Sequence, residues 1–410
     1  MPGAAETLRG STASAADDRH TLWAAYLTQF FVSFHLFSVL YIASSYLASL
    51  LGEAAVSWVV GAGAFAAFAG VILLAARLAR RVRVFSEYLG WWAAVEAVLY
   101  GALWLADAVT PSLGVALVVA GAFIATQLTY LLGVYGVDLA FESVIGAREN
   151  ITGRVRTTAL TLMNAALVAA AALSPWVVEV WGYGAAYFLG ILALIPALWF
   201  GRLLKVPIAP SHTEPFTRAL ALVAKHKPLH DAYLLQIGLR MFYAWMVIYT
   251  PLYLHFTLGF SWQELALPFV VMLLPFVLFE RIVGWLADTR WGERELIIVG
   301  FVIMGASVAL FPLLTSAPLW VWAAVLFVSR TGAALVEAAT ESYFFKHINT
   351  NGGVVVAFFR STRPAAFLLA SITGGAVSAA NGIGATFAML AATMIMFAIR
   401  AFSLRDTQPE

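Results

Sequence analysis

Long apolar stretches separated by short polar turns run through the whole chain. A helix needs about 20 apolar residues to cross the hydrocarbon core of a bilayer, and the sequence holds twelve stretches of this kind. We predict helices at residues 22–46, 54–76, 86–107, 111–140, 156–178, 183–204, 230–256, 263–284, 294–315, 318–344, 354–378 and 383–403. The pattern predicts an all-α integral membrane protein with twelve transmembrane helices, since a helix satisfies its own backbone groups in lipid.

Composition agrees with this pattern. Hydrophobic residues make up 62% of the chain and charged residues 11%, whereas soluble domains are about half apolar and about a quarter charged. The net charge is only +2, and no basic run interleaved with aromatic residues is present, so nucleic acid is not an expected partner. The chain has no cysteine, which excludes disulfides and thiolate metal sites. We expect no metal and no cofactor.

Lysine and arginine follow the even-numbered helices, whereas the turns after odd-numbered helices carry Glu53, Asp107, Glu179 and Glu264. The basic residues are Arg77, Arg80, Arg81 and Arg83, then Arg148, Arg154 and Arg156, then Lys205, Arg218, Lys225 and Lys227, and finally Arg290, Arg294 and Lys346. Because cytoplasmic turns keep the positive charge, we predict a multi-pass plasma-membrane protein. Its termini, residues 1–21 and 404–410, are both expected in the cytoplasm.

The two halves of the chain resemble each other in order and spacing. Tyr26-Leu27-Thr28-Gln29 matches Tyr233-Leu234-Leu235-Gln236, and Leu51-Gly52 matches Leu258-Gly259. Asp138 and Glu142 match Glu337 and Glu341, and Gly182-Tyr183-Gly184-Ala185 matches Gly382-Ile383-Gly384-Ala385. Such repeats are common in transporters. We predict two pseudo-symmetric six-helix bundles, 22–204 and 230–403, joined by a proline-rich cytoplasmic linker at 205–229.

A short motif follows helix eight. Residues 284–294 read Gly-Trp-Leu-Ala-Asp-Thr-Arg-Trp-Gly-Glu-Arg, which resembles the loop signature of the major facilitator superfamily of secondary transporters. The first half keeps only the basic part of the motif, Arg80, Arg81 and Arg83. The resemblance implies that Gly284 lets two helices approach closely. It also implies that Asp288, Arg290 and Arg294 help to lock the cytoplasmic side in one state.

Carboxylates and arginines meet near the predicted cytoplasmic ends of several helices. Asp138 and Glu142, like Glu337 and Glu341, are four residues apart and share a helix face. Arg360 and Arg363 open the following helix in the second half. Because unpaired charges at that depth are costly, we predict ion pairs that gate the cytoplasmic side. A permanent packing network is the alternative.

Two arginines lie inside helices. Arg240 lies about a third of the way into helix seven, and Arg330 lies near the middle of helix ten. An arginine there needs a wet cavity or a partner, so we predict that one or both bind an anionic or polar group of a substrate. The alternative is an internal bridge, because Glu337 follows Arg330 by seven residues on the same face.

Further polar groups lie on helices that, by the resemblance, line the central cavity. These candidate substrate ligands are Gln29, His35, Gln127, Gln236 and Tyr243. Glu96, near the centre of helix three, and Glu337 are the candidates for carrying a coupling proton. A neutral, hydrogen-bonded glutamic acid is the alternative for Glu96.

Motifs for other activities are missing. No Gly-rich loop ends in Gly-Lys-Ser/Thr, and no His-Glu-x-x-His or Gly-x-Ser-x-Gly motif occurs. We therefore expect a transporter rather than an enzyme: a monomer in membrane lipid that moves a small-molecule solute by alternating access, with protons as the driving ion. The competing hypothesis is a membrane enzyme or lipid-handling protein that uses the same cavity.

Overall fold

The computed structural model describes residues 3–78, 83–106, 113–145, 149–204, 216–279, 282, 291–347 and 358–404. Within these ranges all regular structure is helical. The helices are α1 Gly3–Leu40, α2 Ala43–Leu51, α3 Glu53–Leu78, α4 Arg83–Ala106, α5 Leu113–Ile145, α6 Glu149–Trp181, α7 Tyr183–Gly201, α8 Phe216–Lys225, α9 Lys227–Leu252, α10 Trp262–Val271, α11 Glu293–Ala309, α12 Leu319–His347, α13 Thr362–Asn381 and α14 Ile383–Ala401. A π-helical turn, Tyr253–Thr257, continues α9.

Ten helical spans of the described residues are long and apolar enough to cross a membrane. Two shorter apolar stretches, Glu53–Ala66 and Ala93–Ala102, lie in α3 and α4. Together they correspond to the twelve predicted segments. The boundaries differ most at α1, which begins at Gly3 rather than at residue 22. Helix α5 also continues to Ile145 and α6 begins at Glu149, since helical hydrogen bonding continues beyond the apolar stretch that hydropathy detects.

Four glycines with positive φ mark the turns at one end of the bundle. Successive membrane-crossing segments alternate in direction, so the starts of α1 and α9 and the ends of α7 and α14 share one end, here named the terminal end. Gly52, Gly182, Gly259 and Gly382, with φ of 81°, 83°, 78° and 81°, lie at the opposite, far end. They form the two pairs that the repeat matched, and glycine is favoured there because it adopts positive φ without strain.

The predicted linker contains a helix that the sequence did not suggest. Helix α8, Phe216–Lys225, lies within residues 205–229, and α9 begins directly after His226. Pro228 occupies the first turn of α9 rather than a loop. Proline is compatible with that position because the first backbone N–H groups of a helix have no partner within the helix.

Tryptophans on the outer surface lie near both ends of the bundle. Trp58 and Trp320 are 80% and 71% exposed near the far end, and Trp23 and Trp199 are 64% and 66% exposed near the terminal end. Exposed tryptophan at two levels is typical of the two membrane–water interfaces.

Glycines allow close packing inside the second half. A Cβ atom on Gly300 of α11 would lie 2.6 Å from the carbonyl oxygen of Gly332 on α12, and the reverse substitution meets the carbonyl of Gly300 at 2.6 Å. The two backbones therefore touch, as small residues permit in membrane helices.

Candidate functional site

A polar cluster joins α9 and α12 in the second half. Gln236, Arg240 and Tyr243 are four and three residues apart and share a face of α9, whereas Arg330 and Glu337 share a face of α12. All five residues were predicted as site residues from their positions within apolar helices. The fold brings them together.

Glu337 is held from two sides. Its Oε1 lies 3.0 Å from Nη2 of Arg240, and its Oε2 accepts a hydrogen bond from the Tyr243 hydroxyl at 2.8 Å. With its amide oxygen facing the guanidinium, Gln236 accepts from Nη2 and Nε of Arg240 at 2.9 and 3.0 Å. The predicted internal bridge thus exists, but Arg240 of α9 forms it instead of Arg330.

Arg330 has no such partner. The residue is 1% exposed, and within the described part of the chain it forms no ion pair, while its Nε and Nη2 have no hydrogen-bond partner. Its Cζ lies 5.2 Å from the ring centroid of Phe242 and 5.4 Å from that of Tyr243. Cation–π contact stabilises a guanidinium but does not neutralise it. The cluster of Arg240, Arg330 and Glu337 therefore carries one positive charge in excess.

A second buried cluster lies in the first half. Nε2 of His35 on α1 is 2.8 Å from Oε2 of Glu96 on α4, and both side chains are fully buried. Nδ1 of His35 lies 3.1 Å from the carbonyl oxygen of Gly190 on α7. The hydroxyl of Thr129 on α5 donates to Oε1 of Glu96. Four helices thus meet at one histidine–carboxylate pair.

The helix positions explain why Glu96 faces inward. Ala93, Glu96 and Tyr100 recur at spacings of three and four and are buried, whereas Val95 and Val98 are 43% and 74% exposed. This face of α4 packs against α5 and α7, and Glu96 reaches His35 of α1. Glu96 and His35 were each singled out from the sequence as separate candidates. Their partnership was not predicted, and neither were Thr129 and Gly190.

The two glutamines of the first half have different surroundings. Gln29 donates to the hydroxyl of Ser33 at 3.2 Å within α1, which parallels the contact of Gln236 with Arg240 in the repeat. Gln127 is buried and its Nε2 has no hydrogen-bond partner in the described structure. It lines a small cavity between the halves with Ala64, Phe123, Pro364 and Phe367.

Charged groups link the halves at the terminal end. Arg360, just before α13, lies 3.9 Å from Asp138 of the first half and 3.4 Å from Glu341 of the second half. The Cζ atom of Arg363 lies 4.7 Å from the ring centroid of Tyr130 on α5. Four of the predicted gate residues are thus near each other, and Tyr130 joins them unpredicted.

The remaining predicted gate residues are not seen to connect the two halves in the described part of the chain. Arg294 pairs with the adjacent Glu295 at 2.6 Å. The side chain of Glu142 and the residues Gly284, Asp288 and Arg290 lie outside the described part of the chain. Glu293, which lies within the motif and begins α11, was not predicted, although it is fully buried and contacts Lys346 at 2.6 Å.

Hydrogen bonds join the halves at the far end. The hydroxyls of Ser57 on α3 and Tyr249 on α9 are 2.9 Å apart. The backbone N–H of Trp262 donates to Glu179 at 3.2 Å, and its indole N–H donates to the hydroxyl of Tyr183 at 3.1 Å. These distances are shorter than the 3.9 Å between Arg360 and Asp138, so the contacts between halves are closer at the far end.

Solved structures with the same architecture identify the fold. A partially occluded inward open structure of the xylose transporter XylE from E. coli matches with a TM-score of 0.71, 14% identity and coverage of 96% of this chain and 99% of that one. The chain has the fold of the major facilitator superfamily. It is therefore a multi-pass membrane protein with the two-bundle arrangement predicted from the sequence.

Two further structures agree with the superfamily fold. The human organic anion transporter MFSD10 (TETRAN) matches with a TM-score of 0.69 at 13% identity, over 94% of this chain and 99% of that one. An auto inhibited POT family peptide transporter matches with a TM-score of 0.72 at 14% identity, over 95% and 99%. No protein-family model and no curated protein matches the sequence. At such identities the likeness establishes the fold alone.

Proposed function

We propose that the protein is a secondary transporter that moves a small solute with an anionic group by alternating access. The observation that carries this proposal is the buried guanidinium of Arg330, which lies beside the rings of Phe242 and Tyr243 and forms no ion pair with any described residue. The three transporters with the same fold support a transporter rather than a membrane enzyme.

The charge balance of the α9–α12 cluster favours an anion. An arginine at the centre of a membrane helix costs about 2.5 to 3.5 kcal/mol or more, and Glu337 is already engaged by Arg240 and Tyr243. A carboxylate of the solute that binds Nε and Nη2 of Arg330 would bring the cluster to neutrality. MFSD10 is an organic anion transporter, which agrees with this class of solute.

The cross-half contacts support alternating access. Arg360 connects a carboxylate of each half at the terminal end, whereas hydrogen bonds without an ion pair connect the halves in the far-end contacts described above. We propose that the Arg360 contacts to Asp138 and Glu341 strengthen when the protein opens at the far end. Arg363 would act with them as part of the gate.

Proton coupling, membrane location and subunit number complete the proposal. Glu96 and Glu337 are the two candidates for the coupling proton. The basic turns support a plasma-membrane protein with its terminal end in the cytoplasm. We further propose a monomer embedded in lipid, with bundles at residues 22–204 and 230–403 and a cytoplasmic linker at 205–229.

A thermal-shift panel tests the anion site. Purified protein is heated with benzoate, succinate, inorganic phosphate, glucose or a neutral dipeptide at equal ionic strength. We expect stabilisation by an organic carboxylate that is lost in Arg330→Ala and weakened in Arg330→Lys, because lysine cannot form a bidentate contact. Arg202→Ala, at an exposed position of the terminal end, is the matched control and should keep the shift.

Flux measurements complete the test. Protein reconstituted in lipid vesicles should take up the stabilising anion, and Arg330→Ala should abolish the uptake. Stabilisation by glucose alone, or a shift unchanged in Arg330→Ala, would contradict the anion site. Binding without flux would favour the competing hypothesis of an enzyme or lipid-handling protein.

A further inference from the structure

We infer that His35 and Glu96 together form the proton site of this transporter, and that Glu337 has a positioning role instead. The inference rests on the proposed transport function and deepens it, since it decides between the two candidate carboxylates. It follows from which atoms can donate and which can only accept in the two buried clusters.

The Gly190 carbonyl fixes one proton on the histidine. A carbonyl oxygen can only accept, so Nδ1 of His35, 3.1 Å from it, carries a hydrogen. A glycine is required at residue 190 for this approach, because a Cβ atom there would lie 2.8 Å from Oγ of Ser38 and 3.2 Å from Nδ1 of His35. In the neutral imidazole, Nε2 is therefore the acceptor.

The contact of 2.8 Å between Nε2 of His35 and Oε2 of Glu96 then holds one further proton. Two acceptors cannot face each other at that distance in a dry site, so the proton is on the carboxyl group or on the imidazole. Either arrangement leaves the pair with zero net charge. Neutrality explains how both side chains stay fully buried, since an isolated buried charge is costly.

Loss of this proton to water leaves one negative charge on Glu96. Thr129 already donates to its Oε1, and His35 can donate from Nε2 if its remaining hydrogen moves there from Nδ1. That change of tautomer removes the hydrogen bond to Gly190. Proton release is thereby linked to the contact between α1 and α7, so that protonation can affect how these two helices pack.

The neighbouring groups leave the pair free to exchange its proton. The titratable side chains that face it are Tyr100 from α4 and Tyr187 from α7, whose rings pack at 4.9 Å. From α5 it meets Thr126, bonded to the Tyr100 hydroxyl, and Thr129. The residue of α1 that Glu96 contacts is His35 itself. No arginine or lysine holds Glu96 ionised among the described contacts of this cluster.

Glu337 differs in this respect. Arg240 and Tyr243 both donate to its carboxylate, and Arg330 adds a second guanidinium above the Tyr243 ring. Donors and cations favour the ionised form of a carboxyl group. We therefore assign Glu337 the role of positioning Arg240 and Tyr243.

Infrared pH-difference spectroscopy of the protein in lipid vesicles tests the assignment without any solute. Wild type should display a pH-dependent band of either a protonated carboxyl group or an imidazolium ring, according to which partner holds the proton. Glu96→Gln should lose the band, whereas Glu337→Gln should keep it. Thr129→Val, which retains the pair, should make the band persist to higher pH than in wild type, because it removes a hydrogen bond that favours the carboxylate.

The outcomes separate this inference from the transport proposal. Loss of the band in Glu337→Gln with retention in Glu96→Gln would assign the proton to Glu337 and overturn the inference. Absence of any pH-dependent carboxyl or imidazolium band in wild type would make the pair a fixed structural contact and overturn it as well. Wild-type and Thr129→Val spectra decide the question even if Glu96→Gln fails to fold.

Transport measurements test whether this proton site couples proton movement to solute uptake. In vesicles with the anion selected by the thermal-shift panel, uptake driven by an acid-outside gradient should be lost in Glu96→Gln, while exchange of labelled for unlabelled anion continues. Uptake that is still driven by the pH gradient in Glu96→Gln would contradict the assignment of the proton site to His35 and Glu96. If no anion is transported at all, the transport proposal fails while the spectra still decide where the proton is held.

Discussion

Neutralising Glu337 should destabilise the protein more than removing its partner Arg240 does. Glu337→Gln leaves two guanidinium groups, Arg240 and Arg330, without a carboxylate in the cluster. Breaking a buried pair costs about 3 to 5 kcal/mol. The Arg240 and Glu337 side chains are 15% and 11% exposed, so we expect the lower end of this range, about 3 kcal/mol, or about a hundredfold in the unfolding equilibrium.

Arg240→Met should cost less for a structural reason. Glu337 then keeps the Tyr243 hydroxyl, and the now unpaired Arg330, which packs on the same Tyr243 ring, can serve as its counter-ion. The double variant Arg240→Met/Glu337→Leu should recover most of the stability lost in Glu337→Gln. An apolar pair of similar volume is often as stable as a buried ion pair.

Unfolding in mixed detergent micelles with increasing dodecyl sulfate measures these differences. Tyr243→Phe is the control and should cost about 1 kcal/mol, the usual contribution of one hydrogen bond. Equal losses for Glu337→Gln and Arg240→Met, or a double variant as unstable as the sum of the single variants, would refute the charge balance described for this cluster.

Two further changes test the packing between helices. Tyr249→Phe removes the hydrogen bond to Ser57 and should favour opening at the far end by about 1 kcal/mol, about fivefold. Because the chain lacks cysteine, a single cysteine introduced by Ser371→Cys can be labelled to measure this opening. An unchanged labelling rate in Tyr249→Phe would contradict the prediction. Gly300→Ala should destabilise by about 1 to 3 kcal/mol through contact with the α12 backbone, whereas Gly101→Ala, with open space around it, should be neutral or stabilising in the same unfolding assay.

The helices were predictable because lipid restricts what a backbone can do. Apolar length alone placed the last segment at 383–403, and α14 spans Ile383–Ala401. The turn glycines were predictable in pairs because a repeated fold needs the same positive φ at equivalent turns. Helix α8 was missed because its surroundings are rich in proline, and proline marks both loops and first turns of helices.

The candidate cluster was predictable in its members but not in its contacts. Arg240 and Arg330 were conspicuous because charged residues are rare inside apolar helices. Spacing suggested a bridge between Arg330 and Glu337, yet seven residues rise about 10 Å along a helix. Arg240 of a neighbouring helix reaches Glu337 at 3.0 Å instead, a contact that no spacing along one chain segment can reveal.

The sequence by itself determined that the protein lies in lipid, where its long apolar segments are and which few polar groups require a partner, because each of these follows from the cost of exposing polar atoms to hydrocarbon. Only the tertiary structure decided which partner each group obtained. His35 meets Glu96 and Gly190, and Arg330 meets aromatic rings without a carboxylate. Helices far apart in sequence supply these contacts, and their packing, rather than local pattern, sets which side chains come within hydrogen-bond distance.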